Sequence, residues 1–141
     1  MQTRAQFAKA AKERLKDAES LRRARRFDGA VYMCGYAVEI ALKARACKLL
    51  GWSAFPQSQS EFGQNKKFLA LKTHNLELLL SYTGLEERIK DVGGPYKAQW
   101  DTVAGWNPEE RYNAIGSTTE AEAAQVIAAA RALLTVLLPR S

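Results

Sequence analysis

At 141 residues with two cysteines, the sequence has the length of one ordinary domain, able to bury a core without disulfides or a structural metal. Lys and Arg outnumber Asp and Glu by 21 to 15, a net charge of +6. No window reaches the roughly 18 to 20 unbroken apolar residues of a membrane span, and the opening MQTRAQFAKAAKERLK lacks the apolar centre of a signal peptide, so a soluble, cytoplasmic protein is expected.

Phe7, Ala11, Leu15, Ala18 and Leu21 recur at helical spacing and predict an amphipathic first helix over about residues 3–25. This element also carries the charge. Residues 1–26 hold nine Lys or Arg against Glu13, Asp17 and Glu19, and the other 115 residues balance at twelve of each sign. The focus is Arg22, Arg23, Arg25 and Arg26, a basic patch that suits a phosphate backbone, an acidic partner or simple solvation at a helix end.

A second helix is expected from Asp28, read as its N-cap, to Gly51, its stop, making a hairpin of two long antiparallel helices. It is almost wholly apolar apart from Tyr36, Glu39 and Lys43, which share one face at spacings of three and four. The plain reading is a partly buried Glu39–Lys43 ion pair. Cys34 and Cys47 lie about 20 Å apart along this helix and cannot bond to each other, so both are expected as small buried apolar residues.

The composition of residues 52–72 predicts a loop, mobile at its tip, that Phe55, Phe62 and Phe68 tack onto the bundle. A third helix is expected from Thr73 to Gly84 with Leu76, Leu79 and Leu80 inward, then a charged turn, LEERIKDVGG. Pro95 is read as the first residue of a helix that Gly105 ends, and Asn107-Pro108-Glu109-Glu110 as a capped turn presenting Arg111 and Tyr112. Thr119 and Glu122 form the next capping pair, opening a last helix to about Leu138 with Ala123, Ile127, Ala130, Leu134 and Leu137 in the core. No strand is expected. The fold class is therefore all-α, an antiparallel up-and-down bundle of about five helices in a single domain over 1–141.

Three blocks together, YAVEIALKA at 36–44, THNLELLL at 73–80 and Trp106 followed by ERY ending at 112, resemble the HEPN family of small helical bundles. The resemblance spans most of the chain. It implies a bundle that often dimerises, in a family of ribonucleases of toxin–antitoxin and defence systems, nucleotide-binding or antitoxin-related modules, and partners of minimal nucleotidyltransferases. HEPN ribonucleases carry an Arg followed, after four to six residues, by a His. Counted from Arg111, those positions are Gly116, Ser117 and Thr118, and the single His, His74, does not follow any Arg at that distance. Cleavage through the 2′-hydroxyl thereby loses its usual proton carrier.

The first expectation is thus a noncatalytic HEPN-like module binding a nucleotide, an RNA or a nucleotidyltransferase partner, with Tyr36, Glu39, Lys43, Thr73, His74, Trp106, Arg111 and Tyr112 as candidate ligand-binding residues. A divergent ribonuclease would use His74 and Arg111, the latter clamping a phosphate while Tyr112 stacks on a base. A third reading is a homodimeric assembly module whose polar residues only fasten the bundle, Arg111 pairing with Glu39. Trp100 and Trp106 also fit a core role. No phosphate loop, nucleophile set or carboxylate cluster is visible, so no cofactor or metal is expected.

Overall fold

The computed structural model describes residues 2–56, 68, 71–109 and 116–138. Among these, six helices are formed: α1 (Arg4–Arg23), α2 (Phe27–Leu50), α3 (Leu76–Ser81), α4 (Glu86–Lys90), α5 (Lys97–Val103) and α6 (Glu120–Leu137). The all-α bundle is as expected. One addition is a pair of two-residue antiparallel strands, β1 (Gln2–Thr3) and β2 (Ala54–Phe55), too short to carry a readable alternation. They join the start of α1 to the chain leaving α2, and Phe55 packs edge-on against Phe7 at 5.7 Å.

The α2 helix is the axis of the bundle because it buries residues around most of its circumference, from Ala30, Cys34 and Gly35 to Ala44, Ala46 and Cys47. Small side chains let α1, α6 and α3 approach it, while α5 reaches the core through α6. Burial pushes the Cys34 thiol up to about 12 and the Cys47 thiol, with a small opposing effect from Arg4, up to about 11. Leu76, Leu79 and Leu80, and the whole inward row of α6, lie in the core as read from their spacing.

Caps explain where the elements stop. Thr3 and Gln6 form a reciprocal capping box at the start of α1, Thr3 donating its backbone N–H to Gln6 and accepting from the N–H of Gln6. The α1 helix ends earlier than the periodicity implies, at Arg23, because Arg25 takes the left-handed conformation at φ 62°. The Arg26 N–H then returns to the Leu21 carbonyl and the Arg25 N–H to that of Arg22, the paired bonds of a Schellman turn. Gly51, at φ 73°, closes α2 as expected. The third helix starts at Leu76 rather than Thr73, since Asn75 accepts from the Leu78 N–H and Thr73 turns instead to the N–H of Asn75. The stretch read as a charged turn contains α4, and Pro95 precedes the Tyr96 cap of α5 rather than opening the helix. Phe55 and Phe68 do pack onto the bundle, Phe55 against Phe7 and Phe68 against Tyr82. Phe62 and the loop tip lie outside the described residues.

Asp28 is not the N-cap of α2 but lies inside its first turn, and its carboxylate reaches across the fold. It accepts from the backbone N–H of Gly116 at 2.6 Å and of Thr118 at 3.0 Å, tying the entry of α6 to the hairpin tip. Hydrogen bonds from the Thr118 side chain and from both backbone groups outweigh partial desolvation and hold the carboxyl below its ordinary 3.8. A lowered carboxyl stabilises the fold above its unfolded-state value and loses that contribution as pH falls through the folded one. Asp28→Ala should therefore cost about 1–2 kcal/mol in urea unfolding at neutral pH, and the gap between variant and parent should close as the titration falls below about pH 4.

Candidate functional site

Glu39 is a carboxylate buried to 4% residual exposure in the middle of an apolar helix, and its two oxygens are satisfied from different elements. Lys43, one turn on, donates to Oε2 at 3.4 Å. His74, from the turn before α3, meets Oε1 through Nδ1 at 2.5 Å. Because an ionised carboxylate only accepts, this contact places a proton on Nδ1 and leaves Nε2 as the nitrogen able to bond or exchange a proton elsewhere. The imidazole remains 54% exposed while Glu39 is enclosed behind it. A buried carboxylate thus orients a solvent-facing His.

Beside this pair lies a cavity of about 250 Å³ lined by Lys43, Lys72, Thr73 and His74 on its polar side and by Phe7, Phe55 and Pro56 on its apolar side. The Lys43 ammonium sits 5.4 Å from the centre of the Phe55 ring, which holds it between the Glu39 oxygen and an aromatic face. The sequence reading named Lys43, Thr73 and His74 but missed Lys72, Phe7, Phe55 and Pro56. Lys72 had a signal, since it immediately precedes Thr73-His74. The apolar wall had none, because the β1–β2 pairing that brings Phe7 and Phe55 together is only two residues long.

Tyr36 stands edge-on to His74 with centroids 6.5 Å apart and accepts a hydrogen bond from the Tyr32 hydroxyl at 3.2 Å. Trp106 lies beneath both tyrosines, 5.1 Å from Tyr36 and 5.9 Å from Tyr32, and is itself buried to 6%. Its place is therefore in the floor supporting Tyr36, consistent with the core reading of Trp100 and Trp106. Gly35 makes this stacking possible: a Cβ there would overlap the indole ring itself. Arg111 and Tyr112, and with them the expected Arg111–Glu39 pair, lie outside the described residues. Arg23, Arg25 and Arg26 are exposed at the hairpin tip with Arg22 half-buried; Arg23 faces Glu19 and Arg25 faces Glu120, each at 3.6 Å. The tip is thus partly neutralised, and none of its arginines lines the cavity.

The geometry defines a class first: a helical bundle with cationic and imidazole donors gathered around a small cavity and held by one buried carboxylate. The family model of the HEPN domain matches residues 5–55, which are the α1–α2 hairpin, the β2 strand and the Tyr36, Glu39 and Lys43 positions. That match falls on the stretch that carries the YAVEIALKA block. No curated protein and no solved structure matches the chain.

Two substitutions separate support from exposure. Glu39→Ala leaves the Lys43 ammonium, only 14% exposed, without its counter-charge, and should cost about 3 kcal/mol in chemical unfolding, whereas His74→Ala, which opens Oε1 to solvent, should cost about 1–2 kcal/mol. Gly35→Ala should cost about 2–3 kcal/mol by driving the Trp106 ring from its place, with an accompanying shift in tryptophan emission.

Proposed function

We propose that the protein is a noncatalytic HEPN-like module that binds a phosphate-bearing ligand, a nucleotide or an RNA phosphate, in the cavity formed by Lys43, Lys72, Thr73 and His74. The observation that carries this reading is the convergence of two ammonium groups, a hydroxyl and an imidazole on one cavity, with a single carboxylate behind them that is already engaged by two of the donors. An incoming anion there meets donors without meeting an open carboxylate. The aromatic and proline wall offers a flat apolar surface to a sugar or base. The missing Arg-to-His spacing supports binding over cleavage. A nucleotidyltransferase partner, a homodimer and a toxin–antitoxin or defence setting rest on the family resemblance and enter this proposal as the context in which such a binder would act.

One observation favours a second reading. The Glu39–His74 contact is the carboxylate–imidazole pairing that orients a general base, so a divergent ribonuclease would use His74 as its proton carrier. One experiment separates the two. Fluorescently labelled ATP and single-stranded RNA are titrated with the parent chain, Lys72→Glu and His74→Ala at low and moderate salt, with RNA integrity followed in parallel. Binding that weakens with salt and falls about tenfold or more in both variants, with intact RNA, is the expected result. RNA cleavage lost in His74→Ala would establish the ribonuclease, and equal behaviour of all three proteins would overturn the cavity assignment.

A further inference from the structure

Flanking the buried row of α1, where it faces α6, the two helices leave an open groove of about 470 Å³ between them. Its floor is aliphatic, from Leu15 on α1 and Leu134 and Leu138 at the end of α6, and its rims carry Lys12, Lys16 and Arg131. Lys9, exposed one turn earlier on α1, extends the basic rim along the helix. The one carboxylate in the lining, Glu19, is already in contact with Arg131 and lies 3.6 Å from Arg23. Lys9 and Lys12 have no ion-pair partner among the described residues. Three of the nine basic residues in the first 26, Lys9, Lys12 and Lys16, thus lie beside a strip of leucine.

We propose that this groove is a docking surface for an acidic amphipathic helix of a partner protein. Such a helix would place one apolar row against Leu15, Leu134 and Leu138 and would set carboxylates opposite Lys9, Lys12 and Lys16, the helix-in-groove mode of recognition. The charge pattern selects an anionic occupant, and the floor selects among anions. Single-stranded nucleic acid is held by aromatic or guanidinium faces on which bases stack, and this floor is made of leucines. Carboxylates spaced along a helix with an apolar row answer both halves of the surface at once. The site shares no residue with the Lys43–His74 cavity, so the two assignments stand or fall independently.

The test uses the whole chain and a labelled helical peptide of about 18 residues with Leu at i, i+3, i+4 and i+7 and Glu at the flanking positions. A second peptide carries Gln in place of every Glu, and single-stranded RNA is the third probe. Fluorescence anisotropy is read for the parent, for the double variant Lys12→Glu with Lys16→Glu, and for Thr135→Trp, which sits on the exposed rim of α6 and fills the groove without touching the core. The expected result is saturable binding of the Glu peptide that drops about tenfold or more in both variants and for the Gln peptide. Equal binding of the Gln peptide, or no loss in Thr135→Trp, would overturn the proposal. So would RNA binding that alone responds to the two variants, or a homodimer in sedimentation that Thr135→Trp dissolves, since the occupant would then be nucleic acid or a second copy of this chain. Circular dichroism of both variants verifies that the helices are intact.

Discussion

The structure depends on how the carboxylate of Glu39 is accommodated. An ion placed in the middle of the most buried helix loses several kcal/mol of hydration, and no single surface partner compensates that loss. Here the compensation comes from two directions. Lys43 is supplied by the same helix at the favoured spacing, which is cheap in conformational entropy, but His74 must be delivered by a separate segment remote in sequence. The carboxylate therefore fixes where the turn before α3 comes to rest. Thr73 and Lys72 follow His74 to the same wall, so one buried charge determines both the local packing and the electropositive character of the adjacent cavity.

The aromatic layer acts on the other flank of the same helix. Trp106 can lie flat against α2 only because position 35 has no side chain, and the ring then carries Tyr32 and Tyr36 toward His74. At the hairpin end, Asp28 performs a comparable task with backbone donors instead of a ring, holding the entry to α6. Asp28, Gly35 and Glu39 thus connect α2 to three remote stretches by three distinct physical means: charge-assisted hydrogen bonds, steric access and a buried ion pair. A helix uniform in hydrophobicity would bind its neighbours as strongly but would not specify their register.

Much of this was legible in the order of residues, for reasons that differ from element to element. The rows of α1 and α6 repeat over four or more turns, so their faces follow from period alone. Gly51 and the Thr119–Glu122 pair mark ends whose chemistry is local. Tyr36, Glu39 and Lys43 were visible because polar groups on an apolar helix are costly, yet the partner of Glu39 was not: residues 39 and 74 are related only through the fold. The β1–β2 bridge, the left-handed Arg25 and the reach of Asp28 to Gly116 were hidden for the same reason. Two residues of pairing leave no pattern, an arginine gives no hint of positive φ, and an Asp before a helix reads first as a cap. The HEPN match lies on the hairpin, where local period and family text coincide.

Enclosure of both thiols has a practical corollary. With Cys34 and Cys47 buried and their ionisation displaced to about 12 and about 11, almost no thiolate exists at neutral pH to meet an alkylating reagent. The native chain is consequently close to silent toward maleimides. A single cysteine introduced on an exposed position would be the dominant reactive group, so spectroscopic probes can be attached at chosen surface sites without first stripping the two native sulfurs from the core.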